Sequence, residues 1–106
     1  QKAGLKAVKP KINCKKIDGI CRKVINESGY GKYFIHSTGH GIGLDVHELP
    51  TIGPKSSTKL EKNMAITVEP GIYIPNKFGV RIEDSLIVTQ KNPILLHKFT
   101  KELLIL

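Results

Sequence analysis

Three histidines, His36, His40 and His47, fall within twelve residues, in the segment HSTGHGIGLDVHE. Gly39, Gly41 and Gly43 run through the same segment, and glycine lets a backbone bend tightly and approach another group closely. Neutral imidazole is the commonest nitrogen ligand for a divalent metal. Taken one at a time, each histidine reads better as a hydrogen-bonded core residue. Two carboxylates shift that balance. Glu69 lies in MAITVEPGIYI and Glu83 in GVRIEDSLIVT, both rich in β-branched residues and both read as strands. Strand alternation puts Ala65, Thr67 and Glu69 on one face and Arg81, Glu83 and Ser85 on another. If the strands close as a hairpin about Asn76 and Lys77, positions 69 and 83 come within a residue or two of each other. Two glutamates so placed must share a proton, pair with cations or bind a metal, and Arg81 neutralises only part of their charge. A mixed imidazole and carboxylate set suits Mn²⁺, Co²⁺ or Zn²⁺ rather than a thiolate-type structural zinc.

Other chemistries find no support. His47-Glu48 does not open an H-E-x-x-H helix, because position 51 is threonine. There is no G-x-S-x-G elbow, no P-loop and no G-x-G-x-x-G fingerprint.

The candidate residues need elements to hold them. Residues 1–9 read as a helix ended by Pro10. Residues 15–27 read as a second, with Ile17, Ile20, Cys21, Val24 and Ile25 as its apolar stripe and Glu27-Ser28-Gly29 as its stop. Both are expected on one side of a sheet. Residues 29–43 read as loop and short strand, and residues 49–63 as a turn-rich surface connection. Strands over 64–74 and 79–89 are each expected to carry one apolar face, Ile66 with Val68 and Val80 with Ile82. The apolar tail ELLIL, 102–106, is expected to dock on the body. The expected fold class is α+β with a mainly antiparallel sheet.

With 106 residues the chain fits one small domain, 1–106, and no second one. Its 40% hydrophobic and 25% charged content is that of an ordinary soluble protein. No apolar run approaches the ~20 residues that span a bilayer, and no leader is expected from the opening residues, which lack a continuous apolar stretch. No membrane partner and a cytoplasmic location are expected. The net charge of +8 is scattered, apart from Lys6, Lys9, Lys11, Lys15 and Lys16. Aromatics are few and not interleaved with the basic residues, so no nucleic-acid partner is expected. Cys14 and Cys21 form no C-x-x-C pair; seven residues apart on one helix face, they read as small buried hydrophobes. QKAGLKAVKP reads as a helix end with no cap before it, so the chain is expected to begin inside a larger polypeptide.

Three motifs occur in order: H-x-x-G-H-G-x-G-x-x-x-H-E from His36, T-V-E-P-G-I-Y-I from Thr67, and G-V-R-I-E-D from Gly79. In this order the chain resembles the pita-bread metallopeptidases, which include prolidase, aminopeptidase P and methionine aminopeptidase. The resemblance covers nearly the whole chain and implies the C-terminal part of one catalytic domain. It implies two divalent metal ions, Mn²⁺ foremost and Co²⁺ or Zn²⁺ as alternatives, held by two Asp, one His and two Glu. His40, Glu69 and Glu83 match the histidine and glutamate ligands. Glu69 also matches the proton shuttle or base, and His47 the histidine that contacts the scissile carbonyl. His36 and Arg81 match substrate-pocket residues of the proline-directed branch. His36 and the R-I-E-D sequence favour that branch over methionine aminopeptidase. The implied activity is hydrolysis of the peptide bond preceding proline, by an Xaa-Pro dipeptidase or aminopeptidase that is a homodimer when full length. A non-catalytic relative that binds peptides or proteins is the alternative of a different class. The family's two aspartate ligands lie upstream of Gln1, and Asp18, Asp45 and Asp84 do not match them. Three of five expected ligands are therefore present, and the missing N-terminal part of the same protein is an expected partner.

Overall fold

The computed structural model describes all residues, 1–106. Two helices, α1 (Lys2–Ala7) and α2 (Cys14–Glu27), precede a short 3₁₀ turn at Gly31–Tyr33. Seven strands follow: β1 (Gly39–Gly41), β2 (Glu48–Ile52), β3 (Ala65–Val68), β4 (Gly71–Ile74), β5 (Phe78–Arg81), β6 (Asp84–Ile87) and β7 (Ile94–Leu95). Helix α2 begins where the Asn13 side chain accepts the Lys15 amide at 2.8 Å, which satisfies one of the orphan donors of the first turn. It ends at Ser28, followed by Gly29 at φ 83°, a left-handed position that glycine takes without strain. Helix α1 is shorter than the expected 1–9. The chain is already extended at Val8, whose side chain turns into the core.

The buried face of α2 is also rotated from the expected stripe. Cys14, Ile17, Asp18 and Cys21 are buried, while Val24 is half exposed. A carboxylate thus occupies the inner face, which requires charged or hydrogen-bonded partners there.

Five strands form one antiparallel sheet in the order β2-β1-β3-β6-β7. The core lies between this sheet and the helices: Val8, Ile12, Cys14 and Ile17 meet Ile52, Leu60, Ile66, Val68, Leu86 and Val88. Cys14 and Cys21 are buried free thiols, as their spacing suggested. Glycine is required where β1 is gripped from both sides. A Cβ at Gly39 would collide with the Thr67 carbonyl, and one at Gly41 with the Leu49 carbonyl.

The expected strand over 64–74 is interrupted. β3 stops at Val68 and β4 starts at Gly71 in a separate two-stranded ribbon with β5. Pro70, which has no amide hydrogen, stands at the break. The pairing register nevertheless runs through it. Ile74 faces Phe78 and Gly71 faces Arg81 in the ribbon, and Val68 faces Asp84 in the sheet. Glu69 and Glu83 are therefore facing positions, at the point where the hairpin passes from ribbon to sheet.

Three further expectations are corrected. Residues 49–52, assigned to a surface connection, belong to β2 and pair with β1. Val80 and Ile82 are exposed, in a two-stranded ribbon separate from the main sheet, with the tail residues Phe99, Leu103 and Leu104 bordering an open hollow beside them. The tail does not dock. Leu103, Leu104, Ile105 and Leu106 are exposed, and no element after β7 brings them to a core already filled from α2 and the central strands. No helix is long and apolar enough to cross a membrane.

Candidate functional site

The break between β3 and β4 opens beside the glycine-flanked strand β1, and the candidate residues meet there. A cleft of about 480 Å³ is lined by His36, His40, His47, Glu69, Arg81 and Thr51, among others. An adjoining hollow of about 390 Å³ shares His40, His47, Glu69 and Arg81 and adds Glu83 and Ser85.

His40 projects from the middle of β1. Its Nδ1 lies 2.8 Å from the Gly41 carbonyl oxygen. A carbonyl only accepts, so in the neutral ring Nδ1 carries the hydrogen and Nε2 presents a lone pair. That nitrogen sits 3.0 Å from Glu69 Oε1. Two acceptors at this distance repel unless a proton or a metal ion lies with them. Glu69 is otherwise well held. Its amide donates to the Thr38 carbonyl at 2.7 Å, the Thr67 hydroxyl donates to its Oε1 at 2.8 Å, and Arg81 Nε lies 3.8 Å from its Oε2. Thr67 Oγ1 in turn accepts the His40 amide at 3.1 Å. One buried hydroxyl thus ties the imidazole's backbone to the carboxylate.

His47 comes from the loop before β2 and sets its ring edge-on to His40, centroids 4.5 Å apart. That loop is shaped by Glu48, whose Oε1 accepts the Asp45 amide at 2.9 Å. His36 lies on the far wall. Its Nδ1 is 2.8 Å from the Ser37 carbonyl and its Nε2 is 2.9 Å from the Tyr73 hydroxyl. By the same donor logic Tyr73 donates to Nε2, which frees its oxygen to accept from an Arg81 Nη at 3.5 Å. A polar chain therefore runs from His36 through Tyr73 and Arg81 to Glu69 and His40.

Glu83 is placed by the sheet register and by Lys101, whose Nζ donates to its carbonyl at 2.8 Å. Its side chain lines the second hollow but makes no hydrogen bond or ion pair with His40 or Glu69. No group of three His, Cys, Asp or Glu side chains closes on a common point. The donors present are of the right type for a divalent ion, and the facing lone pairs of His40 and Glu69 fit one. The pair alone does not complete a coordination shell. Asp84 turns to the other side of β6. It is buried against Gln1 Nε2 at 2.6 Å and Lys101 Nζ at 3.1 Å, with His97 Nδ1 at 3.7 Å.

Two polar residues of this site went unread in the sequence. Tyr73 stands in the sequence reading only within the motif T-V-E-P-G-I-Y-I, and Thr67 only in that motif and as a neighbour on the Glu69 face. The Tyr73 hydroxyl joins Arg81 to His36, 37 residues away, and the Thr67 hydroxyl joins Glu69 to the His40 amide, 27 residues away.

The sequence profile of metallopeptidase family M24 matches residues 1–90. A protein of Pyrococcus furiosus named Xaa-Pro dipeptidase is 50% identical over 104 residues, which are 98% of this chain and 30% of that one. The solved Xaa-Pro dipeptidase of Bacillus anthracis superposes with a TM-score of 0.96 at 50% identity, covering 99% of this chain and 30% of its own. An X-Pro aminopeptidase structure from Thermotoga maritima gives 0.92 at 40% identity, covering 95% and 29%. This chain thus spans about 30% of the length of the relatives it matches. With the motifs, the antiparallel sheet and this match in agreement, the chain belongs to metallopeptidase family M24 and shares its pita-bread fold.

Proposed function

We propose that this chain carries much of the active site of a metal-dependent peptidase that hydrolyses the peptide bond preceding proline. Residues 1–106 are read as one part of its catalytic domain, in keeping with the share of its relatives that the chain covers. The observation that carries the reading is the His40 Nε2 lone pair directed at Glu69 Oε1 across 3.0 Å.

In this reading His40, Glu69 and Glu83 are metal ligands. Two divalent ions, Mn²⁺ in preference to Co²⁺ or Zn²⁺, would supply an acidified water near neutral pH and a Lewis acid for the scissile carbonyl. Glu69 accepts the proton of the attacking water and hands it on to the leaving amine. Its carboxylate is aimed by the Thr67 hydroxyl and the Glu69 amide, so no side-chain search precedes the transfer. His47, exposed at the rim and close to His40, donates to the carbonyl oxygen as it gains charge. His36 and Arg81, joined through Tyr73, form the wall that holds the substrate. The same reading makes the whole protein a cytoplasmic homodimer acting on proline-containing peptides.

The test is hydrolysis of an Xaa-Pro dipeptide, an Xaa-Pro-Xaa tripeptide and a Met-Ala peptide in the presence of Mn²⁺. It is run on the 106-residue chain and on a full-length protein. Cleavage of either proline peptide by the full-length protein supports the reading and separates dipeptidase from aminopeptidase. Cleavage of Met-Ala alone, or binding of peptides without turnover under any divalent metal, overturns it.

A further inference from the structure

Asp18 and Arg22 lie one helical turn apart on α2, outside the cleft. Arg22 Nε donates to Asp18 Oδ2 at 2.6 Å, and its Nη2 reaches Oδ1 at 3.3 Å. The remaining donors leave the helix. Nη1 donates to the Phe34 carbonyl at 3.0 Å, and Nη2 to the His36 carbonyl at 2.6 Å. The guanidinium lies 4.2 Å from the centroid of the Phe34 ring, and that ring meets the His36 imidazole edge-on at 5.3 Å. Asp18 Oδ1 accepts from both the amide of Thr38, at 3.1 Å, and its hydroxyl, at 3.0 Å.

Phe34, His36 and Thr38 are thus gripped in alternation by a single ion pair. Segment 34–38 has no strand partner of its own. It nevertheless delivers His36 to the cleft wall, and the Thr38 carbonyl takes the Glu69 amide. A buried ion pair is weak support for stability, since desolvation offsets most of its attraction. What a planar fork does supply is direction: several donors at fixed angles, which an ammonium cannot reproduce.

We infer that the Asp18–Arg22 pair is a positioning device for His36 that sets the affinity of the site for its substrate. The inference rests on the reading that His36 contacts substrate. Arg22 touches no reacting atom, so its loss weakens binding and leaves the chemical step nearly unchanged.

The test uses a full-length protein. Arg22→Lys keeps the positive charge beside Asp18 but loses the fork. The double variant Asp18→Asn with Arg22→Met keeps an acceptor for Thr38, leaves no lone buried charge and removes both carbonyl contacts. For each variant that folds by circular dichroism, KM for an Xaa-Pro dipeptide is expected to rise about tenfold, the effect of losing one charge-assisted hydrogen bond. The expected kcat stays within twofold. The His36 ring resonances, followed by ¹H–¹⁵N NMR, shift while those of His47 stay in place. A folded variant with unchanged KM and unmoved His36 resonances overturns the inference. If the wild-type protein neither cleaves nor binds the dipeptide, the proposed function fails, and the His36 resonances alone decide whether Arg22 positions that ring.

Discussion

Thr67→Val is the most informative single change in the site, because valine keeps the shape and removes only the hydroxyl. Thr67 is buried, and its Oγ1 makes two contacts: it accepts the His40 amide at 3.1 Å and donates to Glu69 Oε1 at 2.8 Å. Valine leaves a partly buried amide without an acceptor, at about 1–3 kcal/mol, and removes a donor from a carboxylate, at about 1.5–3 kcal/mol. Burying a methyl in place of the hydroxyl offsets about 1 kcal/mol of this. The net expectation is a loss of about 1.5–5 kcal/mol. For a chain of this size it appears as a fall in Tm of roughly 6–20 °C. Thr67→Ser is the control, since it keeps the hydroxyl and loses only a methyl, at about 1 kcal/mol. Urea unfolding and calorimetry of both variants against the wild type read the difference. Equal stabilities for the valine and serine variants would refute the claim that this hydroxyl ties His40 to Glu69.

Two other predictions concern different parts of the chain. Tyr73→Phe removes the hydroxyl that joins His36 to Arg81; KM for a proline peptide should rise about three- to tenfold, the range for one neutral hydrogen bond, as steady-state kinetics would show. Burial pushes both the Cys14 and Cys21 thiols above their ordinary value of 9.0. The folded state therefore holds both protons at pH values where the unfolded chain releases them. Their contribution to stability is complete below pH 9 and declines as the pH rises beyond it. Unfolding midpoints measured between pH 8 and pH 10 should fall in the wild type and fall less in a Cys14→Ala, Cys21→Ala variant.

What the sequence revealed follows from how local each signal is. Helix α2 was legible because a helical apolar period and a Ser-Gly stop lie within one segment. The inward turn of Asp18 was not, because Thr38, whose amide and hydroxyl satisfy it there, lies twenty residues along the chain and meets it only in three dimensions. The facing of Glu69 and Glu83 was legible from the hairpin signal at Asn76-Lys77, and the register upheld it despite the break at Pro70. Strand β2 lay hidden in a segment read as a surface connection, and β1 in one read as loop and short strand without a place for the strand. Gly39-His40-Gly41 has little strand propensity, and it becomes a strand through its pairing with β2 on one side and β3 on the other. The tail misled for the opposite reason. ELLIL is apolar enough to be buried, but composition does not say whether a partner surface exists within the same 106 residues.

The central claim is that His40, Glu69 and Glu83 hold divalent metal together. Calorimetric titration of Mn²⁺ into a full-length protein, beside its His40→Ala, Glu69→Ala and Glu83→Ala variants, tests it most directly. The account predicts saturable binding by the wild type and at least tenfold weaker binding by each variant, the typical effect of losing a ligand or its support. Wild-type affinity in all three variants, or no Mn²⁺, Co²⁺ or Zn²⁺ binding by the wild type, would contradict it.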